Sequence, residues 1–149
     1  MLCVGRLSKK SRPLCDHYVS LLRPYANIDI REIDGAPPSE GVEQAVIREG
    51  AAILRRIRPG ALVVALDRTG REFHSVEFSL FLAEQKLHGV SDFQFILGGA
   101  FGLDARVLAA ANLVWSLSLL TFPHQLARVI VLEQLYRAIR IERGEPYHY

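Results

Sequence analysis

Apolar and polar positions change period several times along this chain, and each change marks an element. LCVG at 2–5 is a short apolar run. A basic stretch follows, then a helical pattern carried by Leu14, Tyr18, Leu21 and Leu22, which Pro24 ends. IDIREI at 28–33 alternates at period two, as a half-buried strand does. GAPPSEG at 35–41 is turn chemistry, with Ser39 as the expected cap of the next helix. The apolar stripe of that helix is Val42, Ala45, Val46, Ile53, Leu54 and Ile57, and Pro59-Gly60 stops it. ALVVAL at 61–66 is a continuous β-favouring run, expected of a strand covered on both faces. DRTGREF at 67–73 reads as loop, and a helix is predicted over 75–88 with Gly89 at its end. FQFIL at 93–97 is a second buried strand, leading into GGAFGL. Asp104 is placed to cap a short helix running through Ala111. LVWSLSLL at 113–120 is strand-like, and Pro123 opens a long amphipathic helix reaching Arg143. Val129, Leu132, Leu135 and Ile139 lie on or near one face of it, and Glu133 and Arg137 are spaced i,i+4.

Strands alternating with helices predict one α/β domain with a mainly parallel sheet. No repeat, linker or low-complexity segment divides the chain. In such sheets ligands bind beyond the carboxyl ends of the strands. Three strand ends stand out: Leu66-Asp67, Gly98-Gly99, and Ser116 to Phe122. Small and apolar residues dominate them, a composition that suits a flat aromatic ligand held by main-chain groups.

Composition narrows the class without naming a chemistry. Half of the 149 residues are apolar and 23% are charged, ordinary for a soluble globular domain. No apolar run approaches the ~20 residues of a membrane helix, and MLCVGRLSKK lacks the order of a signal peptide. A cytoplasmic protein with no membrane partner is expected. Cys3 and Cys15 have no CxxC spacing, so both read as core residues and no metal site is expected. Net charge is +2, too small by itself to argue for nucleic acid. Its distribution is uneven, with 12 basic and 9 acidic residues in 1–75 against 6 and 7 in 76–149. Arg55, Arg56 and Arg58 suit a helix C-terminus. Arg6, Lys9, Lys10 and Arg12 fall in a predicted loop, which reads either as solvated surface or as a phosphate contact.

GGAFG at 98–102 reads in two ways: close backbone approach to a ligand, or a tight strand-to-helix turn. Its spacing fits neither GxGxxG nor a P-loop. His124 stands beside Pro123 where the last helix begins, a position that disfavours a cation. A neutral imidazole there is a hydrogen-bonding or proton-handling group, or an idle one. His17, His74 and His88 have no partners at readable spacing and are expected on the surface.

Residues 93–148 resemble the C-terminal half of the RlmH family, small SPOUT-class (α/β-knot) methyltransferases. The matching blocks are FILGG followed by GL at 95–103, WSLSLLTFPHQLARVIVLEQLYRA at 115–138 and PYH at 146–148. ALVVALDRTG also resembles the family's middle strand and loop, while the N-terminal half matches loosely, in VG at 4–5 and IREID at 30–34. The resemblance implies a single-domain α/β-knot fold with helices on both faces of the sheet, a C-terminal trefoil knot and a homodimer. It implies S-adenosylmethionine-dependent methylation of N3 of a pseudouridine in large-subunit ribosomal RNA. Family cofactor contacts carry over onto Leu66, Gly98, Leu117, Ser118, Leu119, Leu120, Thr121 and Phe122. On that reading the adenine ring rests among Leu66, Leu117 and Leu120. Catalysis then rests on orientation and on removal of the N3 proton, with His124, Arg128, Tyr147 and His148 as the candidate polar groups. Arg128 is expected to hold a phosphate or an imidate oxygen. The partner is ribosomal RNA in the assembled ribosome, met by Arg6, Lys9, Lys10 and Arg12 of the other protomer in a composite site.

Two positions depart from the family pattern. Ala100-Phe101 stands where the family commonly has Pro-Glu, and Tyr149 where a basic residue commonly follows PYH. The first change removes a carboxylate near the cofactor's methyl group and the second a phosphate contact. They keep a rival reading open: a non-catalytic knotted ribosome-binding protein that retains the cofactor pocket.

Overall fold

The computed structural model describes residues 1–37 and 39–147. In chain order it holds β1 (Leu2–Val4), α1 (Arg12–Leu22), β2 (Arg31–Ile33), α2 (Val42–Leu54) and β3 (Leu62–Arg71). Then come α3 (Ser75–Leu87), β4 (Phe93–Leu97), α4 (Ala105–Ala109), β5 (Leu113–Trp115) and α5 (His124–Glu142). The strands form one sheet in the order β2-β1-β4-β3-β5, parallel at every pairing. Parallel neighbours need crossover connections, and the intervening helices supply them.

Alternate strand residues feed two apolar layers, because successive side chains point to opposite faces. Cys3, Val64, Phe95, Leu97 and Trp115 pack under α1, α3 and α5 through Leu22, Phe78, Leu132 and Leu135. Leu2, Val4, Val63 and Ile96 pack on the other face against Ile53 of α2 and Val107 of α4. Burial on both faces is why ALVVAL and FQFIL carry no polar alternation. Phe78 stacks on Trp115 with ring centroids 4.2 Å apart, fixing α3 over the β5 edge. The α/β class, the parallel sheet and the helices on both faces are as expected.

Several local boundaries differ from expectation, each for a physical reason. β3 continues through the expected loop to Arg71, because Trp115 pairs with both Leu66 and Arg71 and residues 67–70 bulge out between them. Asp67 Oδ1 holds that bulge by accepting from Thr69 N at 2.9 Å and Thr69 Oγ1 at 2.6 Å. Gly70 allows the return: a Cβ there would meet the Val114 carbonyl oxygen at 2.5 Å. The strand-like run 113–120 pairs only over Leu113–Trp115. Ser116 Oγ donates to the Ser118 carbonyl at 3.0 Å and Leu120 N donates to Ser118 Oγ at 3.1 Å, which turns the chain away. Gly41, not Ser39, is the N-cap of α2, and Ile57 lies beyond its end. Asp104 caps α4 by accepting from Arg106 N at 2.7 Å, though that helix ends at Ala109 rather than Ala111. No helix among the described residues is long and apolar enough to cross a membrane.

Candidate active site

The carboxyl ends of β3 and β4 open onto a cleft of about 500 Å3. Leu66 and Leu97 form its strand wall, the glycine loop 98–102 its rim, and Thr121 to His124 with Ala127 its far side. The glycine loop is a tight turn that also lines the cleft. Gly99 and Gly102 bridge each other, and Gly102 adopts a left-handed φ of 85°. A Cβ on Gly98 would stand 2.6 Å from the Gly102 carbonyl oxygen. Phe101, at the loop tip, is half-exposed.

Four of the eight expected cofactor contacts line this cleft: Leu66, Gly98, Thr121 and Phe122. The other four sit elsewhere. Leu117 packs against the core under α3 and α5, and Ser118 is occupied in the turn described above. Leu119 and Leu120 are 84% and 71% exposed and are not among the residues that line this cleft. The serine-held turn after β5 points them outward.

His124 is the first residue of α5 and forms part of the cleft wall. Its Nε2 lies 2.9 Å from the Gln125 side-chain nitrogen. Half-burial is the larger cause holding its pKa below the ordinary imidazole value; the Arg128 guanidinium adds to this and Glu49 opposes it. The ring is therefore neutral near pH 7, with a lone pair to accept a proton.

Arg128 corrects the sequence expectation. It is 2% exposed, the largest fully buried side chain among the described residues. Its Nη2 donates to the carbonyls of Val4, at 2.8 Å, and Gly5, and its Nη1 donates to Glu32 Oε1 at 3.1 Å. The guanidinium clamps the ends of β1 and β2 to α5 and does not face the cleft.

The basic loop after β1 is tied down beside His124. Gln125 donates through Nε2 to the Arg6 carbonyl at 2.8 Å and accepts from Ser8 N at 2.9 Å. Glu32 Oε1 accepts from Leu7 N at 2.6 Å. Arg6, Lys9, Lys10 and Arg12 are all exposed. The Arg6–Asp34 pair, 3.5 Å apart on the surface, is weak. This loop flanks its own chain's His124.

Tyr147 lies elsewhere. Its ring meets Tyr136 edge-on at 4.8 Å, its hydroxyl donates to Glu133 Oε1 at 3.2 Å, and the Arg137 guanidinium lies over it at 4.8 Å. Burial raises its pKa above the ordinary phenol value, and hydrogen bonding to Tyr18 and the Glu133 charge add to this. Tyr136 is 12 residues along α5 from His124, roughly 18 Å at the helical rise. His148 lies outside the described residues. Of the three candidate catalytic groups among the described residues, His124 alone lines the cleft.

Sequence reasoning missed Glu32, Glu49 and Gln125. Glu49 left a readable signal: a carboxylate between Ala45 and Ile53 at helical spacing, on the stripe that faces the core. Gln125 left none. A larger cavity of about 840 Å3 opens at the amino ends of the strands, beneath Met1, Ile28, Phe93 and Ile139. Its Arg58, Lys86 and Arg31 are paired with Asp92, Glu142 and Asp29, and it holds none of the candidate residues.

The chain belongs to the SPOUT methyltransferase family, whose model, described as "Predicted SPOUT methyltransferase", covers residues 1–148. The curated relatives share one name. The chain is 43% identical over 154 residues to ribosomal RNA large subunit methyltransferase H of Bifidobacterium animalis subsp. lactis (strain AD011), covering 99% of this chain and 97% of that protein. It is 45% identical over 137 residues to the protein of that name from Carboxydothermus hydrogenoformans, covering 88% of this chain and 86% of the relative. For Pelotomaculum thermopropionicum the figures are 44% over 155 residues, covering 100% and 97%. The resemblance to the RlmH family thus extends over the whole chain, including the N-terminal half. A solved structure, the SpoU methyltransferase AviRb from Streptomyces viridochromogenes in complex with the cofactor AdoMet, aligns with a TM-score of 0.49 and 12% identity, over 96% of this chain and 60% of that one.

Proposed function

We propose that this chain transfers a methyl group from S-adenosylmethionine to N3 of a pseudouridine in large-subunit ribosomal RNA, with His124 as the proton acceptor. The observation that carries the reading is the cleft at the carboxyl ends of β3 and β4, where Leu66, Gly98, Thr121 and Phe122 meet a neutral His124. Its chemistry fits the cofactor. Leu66, Leu97 and Phe122 offer apolar surface to adenine, and the glycine loop brings bare backbone to its rim. No lysine or arginine among the described residues lines the cleft, which suits a cationic ligand. When bound, the cofactor supplies an electrophilic methyl carbon on a sulfonium.

N3 of the base is an imide nitrogen and attacks only as its proton leaves. His124 Nε2 takes that proton by exchanging its Gln125 contact for the N3–H. The N3–H bond breaks and its electron pair forms the new bond to the methyl carbon. A bound S-adenosylmethionine would supply that methyl carbon and would keep the carbon–sulfur electron pair on its sulfur. Holding base and methyl in line is the larger contribution of the cleft.

Ribosomal RNA is met by the exposed basic loop, which Gln125 docks beside His124. Family membership supports the C-terminal trefoil knot, the homodimer, the assembled ribosome as substrate and a cytoplasmic location. Tyr147 joins the site only through a second copy, which a homodimer would provide. Co-expressed His124→Ala and Tyr147→Phe copies would then regain activity that each lacks alone.

Nucleoside mass spectrometry on ribosomes from a strain lacking the protein, with and without complementation, tests the whole reading. N3-methylpseudouridine is expected to vanish and return. An unchanged level in both strains overturns the enzymatic reading, and cofactor binding by calorimetry without turnover would favour the non-catalytic rival.

A further inference from the structure

The glycine loop of this chain carries no carboxylate, yet a buried carboxylate lies directly beneath it. Glu49, on α2, is 5% exposed. Its Oε1 accepts from Ala36 N at 2.8 Å, while its Oε2 is fully buried with no hydrogen-bond partner among the described residues. An unsatisfied buried carboxylate oxygen is costly and calls for a reason.

Three glycines shape the space around it. A Cβ on Gly99 would stand 3.0 Å from Oε2, so the glycine loop rests on the free oxygen. A Cβ on Gly50 would fall 2.4 Å from Asp104 Cβ, so only glycine lets α2 press this close to the start of α4. A Cβ on Gly35 would stand 3.7 Å from Glu49 Oε1 and 3.8 Å from Gly5 Cα. Gly5 in turn borders the imidazole, since a Cβ there would stand 3.6 Å from His124 Nε2. Gly35 and Gly5 thus lie in succession between the Glu49 carboxylate and His124.

We propose that Glu49 is a positioning residue for methyl transfer: its buried charge, acting across the Gly5–Gly35–Gly99 corner, stabilises His124 as that ring takes the N3 proton. The inference rests on the reading of His124 given above. It also accounts for the absence of a carboxylate in GGAFG, because the negative charge arrives from α2 under the loop. The charged groups acting on His124 are Arg128 from its own helix and Glu49 from α2. Glu32 of β2 pairs with Arg128, and Arg6 presents only its carbonyl, through Gln125. Arg128 and burial disfavour the imidazolium and Glu49 favours it, so Glu49 is the group that lets a half-buried ring accept a proton.

Glu49→Gln keeps an acceptor for Ala36 N and removes the charge; Glu49→Asp keeps the charge. The His124 ring titration, followed by NMR in the full-length protein, is expected to move to lower pH in Glu49→Gln and to stay near its original position in Glu49→Asp. With ribosomes as substrate, Glu49→Gln should lower kcat by about tenfold and shift the acidic limb of the pH–rate profile to lower pH. The affinity for S-adenosylmethionine should hold within about twofold on the same argument. An unmoved His124 titration in Glu49→Gln overturns the proposal, as does a loss of kcat that follows loss of thermal stability with the acidic limb in place. If His124→Ala methylates at the original rate, the reading of His124 as base fails, while the titration still decides whether Glu49 governs the ring.

Discussion

Arg128→Met separates a clamp from a catalytic contact. The substitution keeps an unbranched side chain in the buried slot and removes every donor. The carbonyls of Val4 and Gly5 lose their guanidinium partner, and Glu32 loses its ion pair while still holding Leu7 N. Breaking a buried, hydrogen-bonded ion pair from one side costs about 3–5 kcal/mol. That is a large share of the ~5–15 kcal/mol that stabilises a domain. At this chain length it corresponds to a fall in Tm of about 10 °C. Urea unfolding followed by tryptophan fluorescence reads the effect, since Trp115 is buried between Phe78 and Phe95. Protein concentration must be held fixed, because association would add to apparent stability. Arg128→Lys should recover less than half of the loss, because one ammonium cannot span both carbonyls and Glu32. A stability within about 1 kcal/mol of the original, together with abolished methylation, would refute the clamp and return Arg128 to the substrate.

Gly98→Ala pushes a methyl group to 2.6 Å from the Gly102 carbonyl oxygen and must open the glycine loop. Affinity for S-adenosylmethionine should fall more than about tenfold by calorimetry, and unchanged affinity would count against this cleft. His124 is held neutral by burial, so its folded pKa lies below its unfolded value. The stability it contributes is fully present above about pH 6.5. That stability is lost as pH falls through the lower folded pKa. Asp92 and Asp104, held low by hydrogen bonds from Arg58 and Arg106, titrate beneath that window. Unfolding free energy should therefore drop between pH 7.5 and 5.5 in the original protein and less in His124→Gln, and an equal drop in both would remove His124 as the cause. Lys9→Ala/Lys10→Ala should raise KM for ribosomes several-fold and flatten its salt dependence, by about one logarithmic unit for each phosphate no longer neutralised; an unchanged salt slope would place RNA elsewhere.

How far the sequence could be read depended on where each signal resides. FQFIL and ALVVAL were legible as two-sided strands because their burial is written into every residue. The turn after Trp115 was not, since Ser116 and Ser118 redirect a run whose composition still favours a strand. Arg128 looked available because it stands one turn from His124 on an amphipathic helix. Its burial comes from carbonyls at the far end of the chain, which no local pattern records. His124, Leu66 and Gly98 were found because strand ends and helix starts are local features. Gln125 and Glu32, which hold the basic loop in place, act through partners more than twenty residues away in sequence. Tyr147 illustrates the opposite limit: it was legible as the polar aromatic of PYH, yet it packs on Tyr136, well along α5 from the cleft.

The Arg128 clamp also sets the order in which the newly made chain can mature. The carbonyls of Val4 and Gly5 emerge before their guanidinium partner, which follows 124 and 123 residues later. Until α5 is free to dock, the first strand ends in carbonyls without their donor and the basic loop has no Gln125 to hold it. The cleft wall on α5 and the anchored basic loop are therefore completed by the same event, the docking of α5. A chain in which α5 has not docked would lack both.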